Sequence, residues 1–233
     1  MVGWRGGRPG WRGGRPWWRV LALAVGAMLV AACSLTPQAA PPTTGSQEEP
    51  EEVVVLVDGE PVVRAELERG MNTVRAGVAA ANGGAIPPDR LRKEGLALAV
   101  QDKVLRLWAR EEGLLADVSE AGFAAALAAE NRRREQARAS GRPLPGVPSY
   151  DEYTFAGLRA AELRKALADR LDLPRERVRA HYDELVKDLT GEPPTFAESE
   201  QRVRLSLADR EVTKELVKRL QTAQVTQPSR KVH

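Results

Sequence analysis

Apolar and polar residues alternate in two different ways near the start of the folded part of the chain. The run Val53–Val57 is apolar and β-branched, the dipeptide Asp58-Gly59 suits the positive φ angles of a two-residue hairpin turn, and Pro61–Val63 resumes an extended pattern. The next apolar residues recur at helical spacing and form one stripe, comprising Leu67, Met71, Val74 and Val78. Glu66 and Arg69 fall off that stripe. The pattern predicts strand, turn, strand and helix, and because a lone hairpin is marginal in water, a later element must cover it.

Helical spacing dominates everything that follows. After the first helix, the predicted helices span 87–112, 119–139, 150–171, 174–191 and 195–223. The first of these carries a wide apolar arc, and Trp108 is interpreted as its core anchor rather than as a platform for a ligand. The stripe predicted for 174–191 is Val178, Tyr182, Leu185 and Leu189.

The last predicted helix has apolar residues on two sides. One side carries Phe196, Val203 and Leu207, and the other carries Leu205, Val212, Leu216 and Leu220. This division favours a helix held between partners, followed by a tail at Thr222–Gln227 that pairs beside the hairpin. The predicted fold class is therefore mainly α, with a small β-hairpin, or three short strands, joining the N- and C-terminal ends. One domain is expected over 53–227, with a disordered tail at 228–233.

Two segments between these helices are unusual in composition. Residues 141–148 hold three prolines and two glycines, which favours a mobile connector. It leads into Tyr150, Tyr153 and Phe155, which either pack in the interior or offer a surface for apolar segments of client proteins. The preceding helix ends in a basic run, Arg132, Arg133, Arg134 and Arg138, interpreted as a solvated face with contact to anionic lipid as the alternative.

Charge must be counted without the first 32 residues, which contain five arginines and no acidic residue. Removing those five from 35 basic residues leaves 30, against 32 acidic residues, a net charge of −2. The mature protein is therefore close to neutral, and its composition does not favour a nucleic-acid partner.

The N-terminal segment has the pattern of a bacterial targeting sequence. An arginine-rich start precedes the apolar run Val20–Ala32, which is shorter than the roughly 20 residues that a membrane-spanning helix needs. The sequence Leu29-Val30-Ala31-Ala32-Cys33 resembles the lipobox of bacterial lipoproteins. The resemblance implies a signal peptide at 1–32, acylation of Cys33, and attachment to the outer face of the cell membrane, with residues 33–52 as a flexible tether. The alternative is a plain secretory signal with an incidental cysteine.

Residues suited to catalysis are few. The chain has two histidines, His181 and His233, and one cysteine, so neither a histidine metal cluster nor a Ser-His-Asp set is evident. Carboxylate pairs such as Asp183-Glu184 lie on charged helix faces and are too common to indicate acid–base chemistry. We therefore expect no catalytic, cofactor-binding or metal-binding residues.

The order of elements resembles the SurA and PrsA family of extracytoplasmic foldases. The segments that carry this resemblance are Val53–Arg69, Leu96–Leu114, Leu173–Leu189 and Phe196–Val225. In that family a parvulin prolyl-isomerase domain of about a hundred residues separates the last two, whereas here only Thr190–Thr195 joins them. The resemblance therefore implies the helical chaperone core without the isomerase.

Three functions follow as hypotheses. The first is a lipid-anchored, ATP-independent chaperone that binds unfolded exported polypeptides. The second is a peptidyl-prolyl isomerase, which would require the parvulin domain. The third is an interaction lipoprotein with one envelope partner, and the sequence does not separate it from the first or define an oligomeric state.

Overall fold

The structure is a computed structural model that describes residues 51–187, 189 and 192–228. In those residues the elements, in chain order, are β1 (Val53–Val57), β2 (Glu60–Val63), α1 (Arg64–Ala81), α2 (Pro88–Glu111), α3 (Glu120–Ala139), α4 (Glu152–Ala168), α5 (Arg175–Val186), α6 (Phe196–Thr222) and β3 (Val225–Thr226). The predicted fold class, mainly α with a small sheet, is confirmed. Cys33, the segment 1–32, the tether as far as residue 50 and residues 229–233 lie outside the described residues.

The sheet is antiparallel with strand order β2-β1-β3. Asp58 and Gly59 form the two-residue turn between β1 and β2, with φ angles of 50° and 84°, as the sequence predicts. β3 pairs with the other edge of β1 and aligns Val57 with Val225. The turn itself binds the C-terminal tail, because Asp58 N donates to Gln224 O and Gln224 N donates to the Asp58 carboxylate. The predicted pairing of the tail beside the hairpin is therefore present.

The helices pack around two apolar clusters joined by α6. The larger cluster combines the sheet with α2 and the ends of α4 and α6, and it includes Val57, Trp108 and Val212. The smaller one lies between α5 and the first half of α6, around Val178 and Leu207. Because the two halves of α6 contribute to different clusters, the helix is held between partners as predicted.

The crossing of α1 and α2 depends on two glycines. A Cβ atom placed on Gly70 would lie 2.3 Å from the carbonyl oxygen of Gly95, and one on Gly95 would lie 2.4 Å from Met71 Cγ. No real side chain fits at these distances, so the absence of a side chain permits the close approach of the helices.

Some residues that the apolar stripes predicted to be buried are exposed, and some charged residues outside the stripes are buried. Leu185 and Leu189 are 46% and 57% exposed, and α5 ends at Val186, so only Val178 and Tyr182 of the predicted stripe are buried. Leu205 is 52% exposed, although the rest of its predicted side on α6 is buried or half-buried. Conversely, Glu66 and Arg69, which fall off the stripe of α1, are 3% and 6% exposed.

Candidate functional site

The three aromatic residues that precede and open α4 lie in different environments. Asp151 caps the helix by accepting a hydrogen bond from Thr154 N at 2.7 Å. Phe155 is 5% exposed, with its ring centroid 5.5 Å from that of Phe123 on α3, so the structure gives it a packing position rather than an exposed one. Tyr150 is half-buried, and only Tyr153, 47% exposed, presents much of its ring to solvent.

The connector before α4 is fastened to α3. Arg134 is 2% exposed, places its guanidinium 4.1 Å from the centroid of the Tyr150 ring, and donates to the Tyr150 hydroxyl and to Pro145 O. Asn131 accepts from Tyr150 N and donates to Tyr150 O. The segment 141–148 lacks regular structure, as predicted, and these bonds fasten it to α3 at Pro145 and, just beyond it, at Tyr150. The expectation of a solvated Arg134 is wrong, whereas Arg132, Arg133 and Arg138 are exposed.

An open groove of about 760 Å³ lies between α3 and α4 and ends at this connector. Its apolar lining comes from Ala126 and Ala129 of α3, from Phe155 and Leu158 of α4, and from Pro145. Leu158 is 39% exposed, so an apolar side chain already faces the space. The volume lies within the range of pockets that bury a small molecule or a few side chains of a peptide.

Two arginines that line the groove, Arg133 and Arg159, are each paired with a glutamate on the same helix. Arg133 donates to Glu130 at 2.6 and 2.7 Å on α3, and Arg159 donates to Glu162 at 2.8 Å on α4. The hydrogen bond from Arg133 holds the pKa of Glu130 below its usual value, so this carboxylate is ionised at neutral pH. The rim charges of each wall are thus paired above an apolar surface, and the third arginine of the lining, Arg134, is buried and donates to Pro145 O and to the Tyr150 hydroxyl.

The groove exists because α3 packs on its neighbours through few contacts. Only Arg134 and Ala137 are buried among its 20 residues. Its N-terminal end is fixed by the ion pair between Glu120 and Arg69, whose guanidinium also lies 4.0 Å from the centroid of the Phe123 ring. The alanine-rich side of α3 consequently faces the open groove and not the apolar core.

A network of buried charges lies beneath the start of α3. Glu66 Oε1 binds Lys103 Nζ at 2.9 Å and also Arg106, and both cations donate to Val118 O at 3.1 Å. Glu66 Oε2 accepts from Val63 N at 2.9 Å, which joins the network to the beginning of α1. Each buried charge therefore has a partner of opposite sign, which is the condition for holding charges in a protein interior.

Two carboxyl groups at the edge of this network have altered proton affinity. Burial raises the pKa of Asp102 and of Glu120, while Arg106 opposes the shift at Asp102 and Arg69 opposes it at Glu120. Asp102 is the carboxylate of the two that opens onto a small cavity between α1, α2 and α4.

The described histidine forms a contact that the sequence did not indicate. His181 is 5% exposed, with Nε2 3.2 Å from Ser206 Oγ and Nδ1 3.5 Å from Glu184 Oε2. The residue types match a nucleophile, a base and an orienting acid. Ser206, however, lies in the middle of α6, where the backbone N–H groups donate to carbonyls of the same helix and are not free to bind an oxyanion. We interpret this contact as a link between α5 and α6.

Comparisons with protein-family models, with curated proteins and with solved structures found no match. In the part of the chain that the structure describes, no helix is both long and apolar enough to cross a membrane. The same residues contain no group of three or more His, Cys, Asp and Glu side chains placed to hold a metal ion.

Sequence reasoning located the aromatic residues but missed the groove and the buried charges. One sequence signal for Arg134 was present: it follows Glu130 by four positions, which places the two side chains on the same face of α3 and favours an ion pair. That signal does not distinguish a solvated face from a buried one. The open space between α3 and α4 has no signature in either helix alone, apart from the shortage of large apolar residues in α3.

Proposed function

We propose that this protein is a membrane-anchored, extracytoplasmic, ATP-independent chaperone that binds unfolded exported polypeptides in the groove between α3 and α4. The observation that carries the proposal is the alanine-rich side of α3, which lines an open space instead of a core. A surface of this kind offers burial to apolar segments of many sequences, and the paired rim charges add little selectivity.

The proposed location, at the outer face of the cell membrane, rests on the sequence. The short apolar run before Cys33 and its resemblance to a lipobox support attachment through acyl chains, and the resemblance to the helical core of SurA and PrsA foldases supports a role with exported chains. The sheet formed by the N-terminal hairpin and the C-terminal β3 is compatible with a core of that type.

The groove is tested by adding a charge to its apolar lining. Leu158→Glu places a carboxylate in the groove, and Val217→Glu on α6 is the matched control, because Val217 is 48% exposed and does not line the groove. Loss of one buried leucine contact corresponds to about a tenfold loss of affinity or more. The measurement is suppression of aggregation of several unrelated unfolded proteins, compared among the wild type and the two variants.

The proposal requires that the wild type protects several clients, that Leu158→Glu loses this protection for all of them, and that Val217→Glu retains it. Protection that is equal in the two variants would remove the groove as the binding site. A wild type that protects no client, while still folded, would overturn the chaperone function itself.

A further inference from the structure

The helix α3 is held against the rest of the molecule near its two ends and by little in between. Only Arg134 and Ala137 of its 20 residues are buried. Within the described chain, neither apolar cluster includes a residue of this helix. Because an amphipathic helix normally owes its position to an apolar face packed on its neighbours, α3 depends instead on the contacts near its ends.

The contacts at the start of α3 are buried and come from two other helices. Lys103 and Arg106 of α2 both donate to the carbonyl oxygen of Val118, two residues before the helix begins. Glu120, the first residue of α3, forms an ion pair with Arg69 of α1. The start of the helix is therefore fixed to α1 and α2.

The contacts in the second half of α3 converge on one residue, Tyr150, in the connector before α4. Asn131 accepts from Tyr150 N at 2.8 Å and donates to Tyr150 O at 2.9 Å. The guanidinium of Arg134 donates to the Tyr150 hydroxyl and lies 4.1 Å from the centroid of the ring. These three residues are called the latch below. The bonds from Arg134 to Pro145 O are not part of it, because the segment 141–148 follows α3 directly and can move with it.

The closed latch holds a charge that is incompletely compensated. Arg134 is 2% exposed, and its Nε has no hydrogen-bond partner among the described residues. The nearest carboxylate oxygen, Glu130 Oε1, lies 3.5 Å away. A buried donor without a partner costs free energy that contact with water would return. Opening of the latch therefore costs less than the bonds to Tyr150 alone would indicate.

We infer that α3 is a hinged arm, which pivots about its fixed start and, when the latch opens, moves its second half away from α4 and widens the groove. Ala126 and Ala129 already line open space, so little apolar packing is lost there. Gly141, with a φ angle of 64°, and Gly146, with a φ angle of 78°, form bends in the connector where the backbone can follow the movement. The use of this movement to admit client segments of different size rests on the proposed chaperone function, whereas the movement itself does not.

Amide hydrogen exchange of the full chain in detergent micelles, followed by mass spectrometry, tests the hinged arm without any client. A helix detached from its neighbours is marginal in water, so opening of the latch exposes the amides of residues 127–139 to exchange. In the wild type we expect these amides to exchange faster than those of α2. Asn131→Ala removes two latch bonds and should raise the rate in 127–139 about tenfold, with the rate in α2 unchanged.

A second latch variant and a matched control complete the test. Tyr150→Phe removes the hydroxyl but keeps the ring beside Arg134, and it should raise the rate in 127–139 by a smaller factor. Asn72 donates to the Tyr153 hydroxyl at 2.7 Å and links α1 to α4. Asn72→Ala therefore removes a hydrogen bond of the same residue type between two other helices, and it should leave exchange in 127–139 at the wild-type rate.

Faster exchange in 127–139 that rises in both latch variants, and not in Asn72→Ala, supports the hinged arm. The inference is overturned if 127–139 and α2 exchange at one common rate in the wild type, if Asn131→Ala accelerates α2 as much as α3, or if Asn72→Ala accelerates α3 as much as Asn131→Ala does. A protein that protects no client can still show this opening, and a protective protein can lack it, so the inference and the proposed function fail separately.

Discussion

At the scale of single residues, the contact between Gly70 and Gly95 is the tightest constraint on the first half of the fold. A methyl group at Gly70 would meet backbone, the carbonyl of Gly95, which cannot move aside as a flexible side chain could. Gly77 lies in the same helix, two turns later, and a Cβ there meets no atom within 4 Å. The same substitution therefore has opposite consequences at the two positions.

We expect Gly70→Ala to lower the free energy of unfolding by about 1 to 3 kcal/mol, because the two helices must separate to admit the methyl group. Gly77→Ala is expected to raise it by about 0.5 to 1 kcal/mol, because alanine loses less backbone entropy in a helix than glycine does. Chemical denaturation of both variants and the wild type measures the difference. A Gly70→Ala protein as stable as Gly77→Ala would show that α1 and α2 do not cross at this point.

Buried charge is the residue-scale feature that the sequence conceals. Glu66, Arg69, Lys103 and Arg106 are all less than a tenth exposed, yet helical spacing places Glu66 and Arg69 off the apolar stripe of α1. The helical period of the apolar residues assigns each residue to one face of the helix. Prediction from this period assumes that a charged face is exposed to water. Here Glu66 of α1 meets Lys103 and Arg106 of α2. Arg69 of α1 meets Glu120 of α3, so each of these buried charges has a partner that is distant in sequence.

At the scale of the elements, α4 depends on a charged cap. Asp151 accepts a hydrogen bond from Thr154 N, and this bond holds the pKa of Asp151 below its usual value of 3.8. A carboxyl group with a lowered pKa in the folded state stabilises the fold above its ordinary pKa, and this contribution is lost as pH falls through the lower, folded value. Asparagine caps helices about as well as aspartate and does not titrate in this range.

We therefore expect the wild type to lose more thermal stability than Asp151→Asn as the pH is lowered from 6 to below about 3.8. Melting temperatures of both proteins over this range, followed by circular dichroism, provide the measurement. Asp172→Asn serves as the control, since Asp172 caps no helix, and it should follow the wild type. Parallel curves for wild type and Asp151→Asn would mean that the cap bond does not favour the ionised carboxylate.

Local chemistry predicts some elements better than others. The Asp58-Gly59 turn is where the sequence places it, and α2 and α3 begin within one residue of their predicted starts. The structure shows the local reasons: a proline in the first turn of α2, and a Ser119 cap on α3 that accepts from Gly122 N. The second half of the stripe predicted for 174–191 was mispredicted, because no element in the described part of the chain covers Leu185 or Leu189. The groove was missed for a related reason, since an unfilled space is a property of two helices and not of either one.

At the scale of the whole molecule, the first prediction concerns attachment. Cys33 lies outside the described residues, and its proposed acylation rests on the resemblance of Leu29–Cys33 to a lipobox. Two acyl chains hold a protein on a membrane stably, whereas one alone is marginal. Cys33→Ser should therefore release the protein from membranes or leave it unprocessed, as judged by cell fractionation and by incorporation of labelled palmitate. Palmitate that still enters the variant would contradict this assignment, and Ser34→Ala is the control that should remain attached.

The two ends of the described chain stabilise each other. β3 completes the sheet and the tail binds the hairpin turn at Asp58, while α6 supplies buried side chains to both apolar clusters. These side chains are Phe196, Val203, Leu207, Ala208, Val212 and Leu216, each no more than 8% exposed. Most of this burial belongs to α6, because both residues of β3 are exposed. Removal of the helix and removal of the strand should therefore differ sharply.

We expect a chain that ends at Pro194 not to fold, because it exposes surfaces that α6 covers, at about 1.5 to 3 kcal/mol for each large side chain, against a total stability of about 5 to 15 kcal/mol. A chain that ends at Thr222 keeps α6 and should still melt cooperatively at a somewhat lower temperature. Removal of tether residues between Ser34 and Gln47 should leave the melting temperature unchanged, since that segment holds almost no large apolar residue. Calorimetry on the three proteins decides the question. Cooperative melting of the chain ending at Pro194, near the wild-type temperature, would mean that α1 to α5 form a complete core and that α6 only rests upon it.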